Sequence, residues 1–149
     1  MSKISVDIIW NIGSGDLSSG IYSNKHEIKF NSKIALPGDS APDWKGDPNN
    51  TNPEQTLAAS LSSCHMMTFL ALAAKMKWPV LSYKNNTIAT LGKNSEGKMS
   101  VTSIHLNPKV EFSKSFKISQ KEMKEVQERA HRYCFIANSL SKEVEVKIN

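Results

Sequence analysis

The segment from Asn52 to about Lys77 is the feature that most constrains the fold. Asn52 can cap a helix, Pro53 suits the first helical position, and Glu54 places a negative charge at the positive end of the helix dipole. Residues that then recur at helical spacing are Leu57, Leu61, Cys64, Thr68, Ala71, Leu72 and Met76. Because little polarity interrupts any side, we predict a long central helix that is covered on several sides.

Strand patterns flank this helix. Residues 3–10 and 21–30 alternate apolar and polar side chains, and a proline-rich loop at 37–53 separates them from the helix. Residues 80–92 and 98–112 predict a hairpin, because a short connection containing glycine joins them. The chain closes with the alternating segment "EVEVKI".

A second helix is predicted to open at Ser119, since Glu122 three residues later completes a capping box. Its expected apolar stripe consists of Met123, Val126, Ala130, Cys134 and Ala137. The resulting order of strands, helix, hairpin, helix and strand indicates an α+β fold with antiparallel sheet. A chain of 149 residues fits one domain, which we assign to residues 1–149.

Composition narrows the function classes. Hydrophobic residues make up 39% and charged residues 22%, as in a globular protein. The net charge is +5, but the lysines are spread along the chain and no nucleic-acid-binding motif accompanies them, so no nucleic-acid partner is predicted. We predict neither a signal peptide nor a membrane span, since no apolar run approaches the roughly 18–20 residues that a span requires. We therefore expect a cytoplasmic protein without a membrane partner, where a cysteine pair is more often catalytic, redox-sensing or metal-binding than a structural disulfide.

The chain has two cysteines, Cys64 and Cys134, each predicted on the apolar stripe of its own helix. Three interpretations stay open from the residues alone. They can be two unrelated core cysteines, which is the commonest case. They can form a Cys2His2 metal site with His65 and His131, although adjacent residues point about 100° apart on a helix and the usual zinc spacing is missing. Or they can reduce peroxides, if one thiolate becomes a sulfenic acid and the other thiol closes a disulfide.

Three segments carry a resemblance to a known family. "NPEQTLAASLSSCHMMTFLALAA", "AHRYCFIANSLSKEVEV" and the upstream "YSNKH" resemble the OsmC/Ohr family, in its OsmC-like branch with Cys-His-Met at the first cysteine. The resemblance implies an OsmC-like α+β fold with antiparallel sheets packed around two central helices, in an intertwined homodimer. It also implies a thiol-dependent peroxidase acting on organic peroxides, with hydrogen peroxide as a second candidate substrate.

The resemblance also implies roles for single residues. Cys64 matches the peroxidatic cysteine, Cys134 the resolving one, and Glu54 the carboxylate that in the family holds an arginine beside the thiolate. No metal or organic cofactor is implied, and an external dithiol, lipoyl or thioredoxin-like, would reduce the disulfide. Ten residues separate Glu54 from Cys64, about 15 Å of helical rise, so a bridging group or the partner subunit must connect them.

The chain departs from the family pattern at one position, where the family has an arginine. Where the related branch reads Y-S-R-x-H, this chain has Asn24 in place of arginine, followed by Lys25 and His26. These three are candidate charge partners, although a lysine cannot fork to a carboxylate and a thiolate together. His65, Arg129 and Arg132 are other possible sources of charge. The alternative function is therefore a non-catalytic, redox-sensing or binding protein with weak turnover.

Two smaller expectations concern the first helix. His65 follows Cys64 directly and projects to another helix face, so we expect it to contact a neighbouring element rather than to act as base for Cys64. An apolar substrate pocket is expected from Met66, Met67, Phe69 and Trp44.

Overall fold

The computed structural model describes residues 1–149 and consists of two compact units, Met1–Thr56 and Leu57–Asn149. Each unit contains its own three-stranded sheet. The assignment of one domain to residues 1–149 stays a prediction. The α+β class with two helices is confirmed.

The first unit is built on an antiparallel sheet in the order β1-β2-β3, formed by Asp7–Ile9, His26–Lys29 and Ala35–Gly38. The register pairs Ile8 with Ile28 and Ile28 with Leu36, so the three side chains share one face. Ile28 is the only apolar side chain of this unit with a buried surface, while Ile8 is 61% exposed and Leu36 41%. The sheet therefore presents an apolar face with almost no core of its own.

Helix α1 spans Pro53–Lys75, and the predicted start is confirmed. The N–H of Gln55 donates to Asn52 Oδ1 over 2.8 Å, and Gln55 Oε1 accepts from the N–H of Asn52 over 3.3 Å, so the cap is reciprocal. The helix ends two residues before the predicted Lys77. Lys77 adopts a left-handed φ of 57°, which turns the chain out of the helix.

The sheet of the second unit has the order β4-β5-β6, formed by Val80–Lys93, Met99–Phe112 and Glu145–Ile148. The predicted hairpin of β4 and β5 is confirmed, with Gly97 at a φ of 75° in its turn. Strand β6, however, pairs with β5 in parallel, so the expectation of antiparallel pairing throughout is wrong for this strand. A helix intervenes between the two strands, and such a crossover returns the chain in the same direction.

Helix α2 spans Gln120–Tyr133. Its predicted capping box is confirmed, since Ser119 Oγ accepts from the N–H of Glu122 over 3.2 Å and Glu122 Oε2 accepts from the N–H of Ser119 over 2.9 Å. The predicted stripe through Cys134 and Ala137 on one helix is wrong. Cys134 has an extended ψ of 118° and forms the C-terminal cap, and a separate short 3-10 helix begins at Ala137.

Residues of α1 and α2 pack with the sheet of the second unit in two apolar clusters. One cluster joins the two helices and consists of Phe69, Leu72, Ala73, Val126 and Ala130. The other joins α1 to β5 and to the end of α2, and consists of Leu61, Ile104, Leu106 and Cys134.

The buried residues of α1 lie along one stripe of the helix. The prediction that the helix is covered on several sides is therefore wrong for the single chain. The buried residues are Ala58, Leu61, His65, Phe69, Leu72 and Ala73. Met67, on another face, is 58% exposed. By length and composition α1 could also cross a membrane, which corrects our expectation that no segment approaches a span. In this fold, however, the helix packs in the core through Leu61 and Phe69, both fully buried.

Candidate redox site

The two cysteines meet in the second unit, although seventy positions separate them in sequence. Cys64 lies on α1 and is partly buried, whereas Cys134 follows α2 and is fully buried. Both are free thiols. Their sulfurs lie within hydrogen-bonding distance of each other. The structure thus brings together the two residues that the sequence singled out as a thiol pair.

The surroundings of Cys64 favour its thiolate. Burial alone raises the pKa of this thiol, but the hydrogen bond from the Cys134 thiol outweighs that effect, together with bonds from the backbone of Ile136 and Phe135 and from Thr68. The net result is a pKa below the ordinary value of a cysteine. A lowered pKa with partial exposure is typical of a reactive cysteine.

Cys134 has the opposite character. Burial, followed by the hydrogen bond to Cys64, raises its pKa to about 11. The N–H of Ala137 donates to Cys134 Sγ over 3.4 Å and lowers the pKa only in part. At neutral pH Cys134 is therefore a protonated thiol that donates a hydrogen bond to Cys64. Of the two residues, Cys64 has the character of a nucleophile and Cys134 that of a hydrogen-bond donor.

A buried polar group lies next to the thiol pair. His65 is 0% exposed, and its Nε2 lies 2.7 Å from Gln127 Oε1 on α2. The expectation that His65 contacts a neighbouring element is confirmed. The ring of His131 lies 6.5 Å from that of His65, measured between centroids. Burial lowers the pKa of both histidines, so both are neutral at pH 7.

Asn24, Lys25 and His26, the candidate charge partners of the thiolate, lie in the first unit and form hydrogen bonds or an ion pair within it. Lys25 Nζ forms an ion pair with Asp47 Oδ2 over 3.0 Å. The Asn24 side-chain amide donates to Ser40 Oγ over 3.5 Å, and His26 Nδ1 donates to the Asn24 carbonyl over 2.7 Å. The positive charge of Lys25 is thus shared with a carboxylate of its own unit.

Glu54 stands in the first turn of α1, where its charge suits the helix dipole. Its Oε2 is buried and has no hydrogen-bond partner in the chain. Because Cys64 is ten residues further along the same helix, about 15 Å of rise separates the two residues. The expectation that Glu54 does not reach Cys64 along one helix agrees with this geometry.

The structure contains no set of side chains arranged as the Cys2His2 metal site. No group of three or more histidine, cysteine, aspartate or glutamate side chains is arranged to hold a metal ion. The imidazole Nε2 of His65 lies against the amide oxygen of Gln127.

The expected apolar pocket is wrong for Phe69, which is fully buried in the cluster between the helices. Met67 is exposed rather than pocketed, and Trp44 is 49% exposed in the first unit. A cavity of about 640 Å³ does exist in the second unit, beside α2. Its lining includes Val110, Met123, Gln127, His131, Val146 and Ile148.

Two features of the site escaped the sequence reasoning. The first is Gln127, which lies seven residues before Cys134 and therefore two helical turns away on the same face. The backbone of Phe135 and Ile136 also contacts the sulfur of Cys64, because the chain leaves the helix at Cys134. The spacing could have indicated the first feature, but only the three-dimensional course of the chain shows the second.

Comparison with known proteins places the chain in a family. The model of the OsmC-like protein family matches residues 46–149. An OsmC-like protein of unknown function from Vibrio cholerae O1 biovar eltor is 36% identical, with a TM-score of 0.91 over 100% of both chains. No curated protein matches the sequence.

More distant structures share the fold. An organic hydroperoxide resistance protein OsmC from Legionella pneumophila is 18% identical, with a TM-score of 0.70 over 99% of this chain and 97% of the other. The organic hydroperoxide resistance protein OhrB of Bacillus subtilis is 17% identical, with a TM-score of 0.70 and the same coverage. The family model and the full-length similarity to the Vibrio protein together show that this chain belongs to the OsmC-like family.

Proposed function

We propose that the protein is a thiol-dependent peroxidase that reduces organic hydroperoxides, with Cys64 as the nucleophile and Cys134 as the resolving thiol. One observation carries this proposal. The partly exposed sulfur of Cys64 has a lowered pKa and lies beside the buried thiol of Cys134, which retains its proton. A nucleophile that can be reached from solvent, with its resolving partner in contact, is the minimum that this chemistry requires.

The first step oxidises Cys64. Its thiolate attacks the terminal, hydrogen-bearing oxygen of the hydroperoxide, so that an S–OH group forms and the O–O bond breaks. The departing alkoxide takes up a proton and leaves as the alcohol. Sulfur loses two electrons to the peroxide and becomes a sulfenic acid.

The second step closes the disulfide. The sulfur of Cys134 attacks the sulfenic sulfur of Cys64, an S–S bond forms, and the S–O bond breaks with release of water. An external dithiol, lipoyl or thioredoxin-like, then attacks the disulfide and leaves as its own disulfide, which restores both thiols. This scheme uses the two sulfurs and the external dithiol without a metal or organic cofactor.

The substrate class is proposed from the relatives. The structures from Legionella and Bacillus are named organic hydroperoxide resistance proteins, and they share this fold. Organic hydroperoxides are therefore the first substrates to test, with hydrogen peroxide beside them. A cytoplasmic location fits the scheme, since the site needs reduced thiols to begin each cycle.

A homodimer is proposed as the working form. The apolar face of the first sheet and the face of α1 around Met67 are both exposed apolar surfaces, which a second subunit could bury. The buried, unpartnered Oε2 of Glu54 likewise calls for a positive partner. Lys25, His26 and Asn24 stay candidates for the charge that acts beside the thiolate, and a second subunit is one way to bring such a group to it.

A second candidate function follows from the same residues. Asn24 stands where the family arginine is expected, and Lys25 is already paired with Asp47. A thiolate without a nearby guanidinium would react slowly, so the pair could serve as a redox sensor, or the chain as a non-catalytic binding protein of the same fold. This function predicts disulfide formation on exposure to peroxide without appreciable turnover.

One assay separates the two functions. Purified protein is mixed with an organic hydroperoxide and a dithiol donor, and peroxide loss is followed for the wild type and for Cys64→Ser. Sustained loss in the wild type alone supports the peroxidase, whereas a wild type no faster than the variant overturns it. Titration of free thiols after one equivalent of peroxide tests the resolving role, because loss of only one thiol contradicts a disulfide with Cys134.

A further inference from the structure

The thiol pair depends on how two separate elements are aligned. Cys64 belongs to α1, and Cys134 ends α2. A disulfide requires Cβ atoms about 3.5–4.5 Å apart, whereas one residue of helix advances the chain by about 1.5 Å and rotates the side-chain direction by about 100°. A slip of one helix along the other by a single residue would therefore place the two sulfurs out of reach.

Apolar packing alone aligns the helices weakly. The cluster between α1 and α2 consists of Phe69, Leu72, Ala73, Val126 and Ala130. Contacts between such side chains are non-directional, so they stabilise the pair of helices without strongly favouring one register. A directional contact is needed to fix the alignment.

Besides the bond between the two thiols, whose alignment is in question, His65 and Gln127 form a side-chain hydrogen bond that joins α1 to α2. Gln127 is 5% exposed and His65 is fully buried, so water does not compete for either group. The amide nitrogen of Gln127 faces Met123 Sδ at 3.7 Å, which turns the amide oxygen toward His65. His65 therefore donates from Nε2, and the bond has a defined direction as well as a defined length.

The position of this bond relates it to both sulfurs. His65 is the residue next to Cys64, and Gln127 lies two helical turns before Cys134 on the same side of α2. Because a buried polar group left without its partner is costly, any register that separates Gln127 from His65 is disfavoured. Registers that keep the bond also keep the two sulfurs adjacent.

We propose that His65 and Gln127 are a positioning pair, whose buried hydrogen bond sets the register of α1 against α2 and so holds Cys64 and Cys134 within reach of disulfide formation. The value of this pair to catalysis rests on the proposed peroxidase function. Its effect on the thiols themselves does not, because alignment governs how readily the two sulfurs pair under any oxidant.

The test measures the thiol–disulfide equilibrium in a redox buffer of dithiothreitol, with no peroxide present. The disulfide fraction is read by thiol alkylation and mass spectrometry for wild type, Gln127→Met, His65→Phe and the double variant. Loss of one hydrogen bond of this kind is expected to lower the effective concentration of the thiol pair about tenfold. The double variant should fall no further than either single one, since both remove the same bond.

Two further variants keep the test specific. Ser62→Ala removes the bond that Asn85 of β4 donates to α1, 2.9 Å long, and should leave the equilibrium unchanged. Gln127→Glu keeps an oxygen acceptor at the same position and should stay close to the wild type. An unchanged equilibrium in folded Gln127→Met, an equal loss in Ser62→Ala, or failure of Gln127→Glu to retain the disulfide would each overturn the proposal.

The outcome is independent of the peroxidase assay. A wild type that pairs its thiols in redox buffer but leaves hydroperoxide untouched would remove the proposed function and leave the positioning pair in place. Conversely, a wild type that reduces hydroperoxide, with an unchanged equilibrium in Gln127→Met, would remove the positioning pair alone.

Discussion

Cys134, the residue that ends α2, donates a hydrogen bond from its thiol to the sulfur of Cys64 on α1. This hydrogen bond gives the two thiols opposite acid–base properties. The pKa of Cys64 is lowered in spite of burial, and that of Cys134 is raised to about 11. Neither pKa shift could arise from the local sequence of either cysteine alone, because each depends on the other helix.

Removing the Cys134 donor should make Cys64 less acidic. In Cys134→Ala the hydrogen bond to the Cys64 sulfur is lost, and burial, which raises the pKa, has less opposition. The pH profile of Cys64 alkylation by iodoacetamide should therefore shift to higher pH, since only the thiolate reacts. Cys134→Ser keeps a donor and should shift less. A profile for Cys134→Ala that matches the wild type would contradict the assigned hydrogen bond.

Acid should weaken the fold before its carboxylates protonate. Burial lowers the pKa of both His65 and His131 in the folded chain, so the unfolded chain binds more protons once the pH falls below about 6.5. The stability due to the neutral histidines is complete above that pH, and it is lost as the pH falls toward the folded pKa values. Urea unfolding at pH 7, 6 and 5 should show a declining free energy of unfolding. The decline should shrink in His131→Gln, and equal stability at all three values would count against it.

Local signals in the sequence predicted much of the fold. The helix starts at Asn52 and Ser119 follow from side chains that bond within three residues, which the sequence displays directly. The end of α2 at Cys134 could not be predicted in this way, because the apolar pattern continues beyond it. Its extended backbone depends on packing against elements far away in sequence.

The candidate site shows the same contrast between features that a local sequence pattern predicts and features that depend on distant residues. The two cysteines were picked out by motif, and the contact of His65 with a neighbouring element followed from helical geometry. The parallel pairing of β6 with β5 and the ion pair of Lys25 with Asp47 both involve residues far apart in the chain. No local sequence pattern predicts them. Lys25 could be predicted as a cation, but its partner could not.

The cap of α2 offers a direct measurement of stability. Ser119→Ala removes the oxygen that accepts from the N–H of Glu122 and should lower the free energy of unfolding by about 1 kcal/mol. Ser115→Ala, an exposed serine before the helix, should change it little. Chemical denaturation of the two variants beside the wild type gives the comparison. Equal stability of both variants would show that the capping box contributes nothing.

The apolar face of the first sheet predicts how the chain associates. Ile8→Lys places a charge on the face shared with Ile28 and Leu36, and a buried charge without a partner is costly. If the wild type is the proposed dimer, sedimentation should show the variant as a monomer at the same concentrations. Lys33→Glu, a charge change in the turn before β3, should leave the dimer intact. A dimeric Ile8→Lys would mean that this face lies outside the subunit contact.

The near absence of a core in residues 1–56 has a consequence for synthesis. Ile28, its one buried apolar side chain, cannot offset the conformational entropy lost when so many residues become ordered. The ribosome nevertheless delivers this segment before residues 57–149, at about 5–20 residues per second. Its apolar sheet face is therefore expected to be exposed to proteases and chaperones while the later residues are being translated. The segment that most depends on further apolar contacts is made before the segment that has apolar clusters of its own.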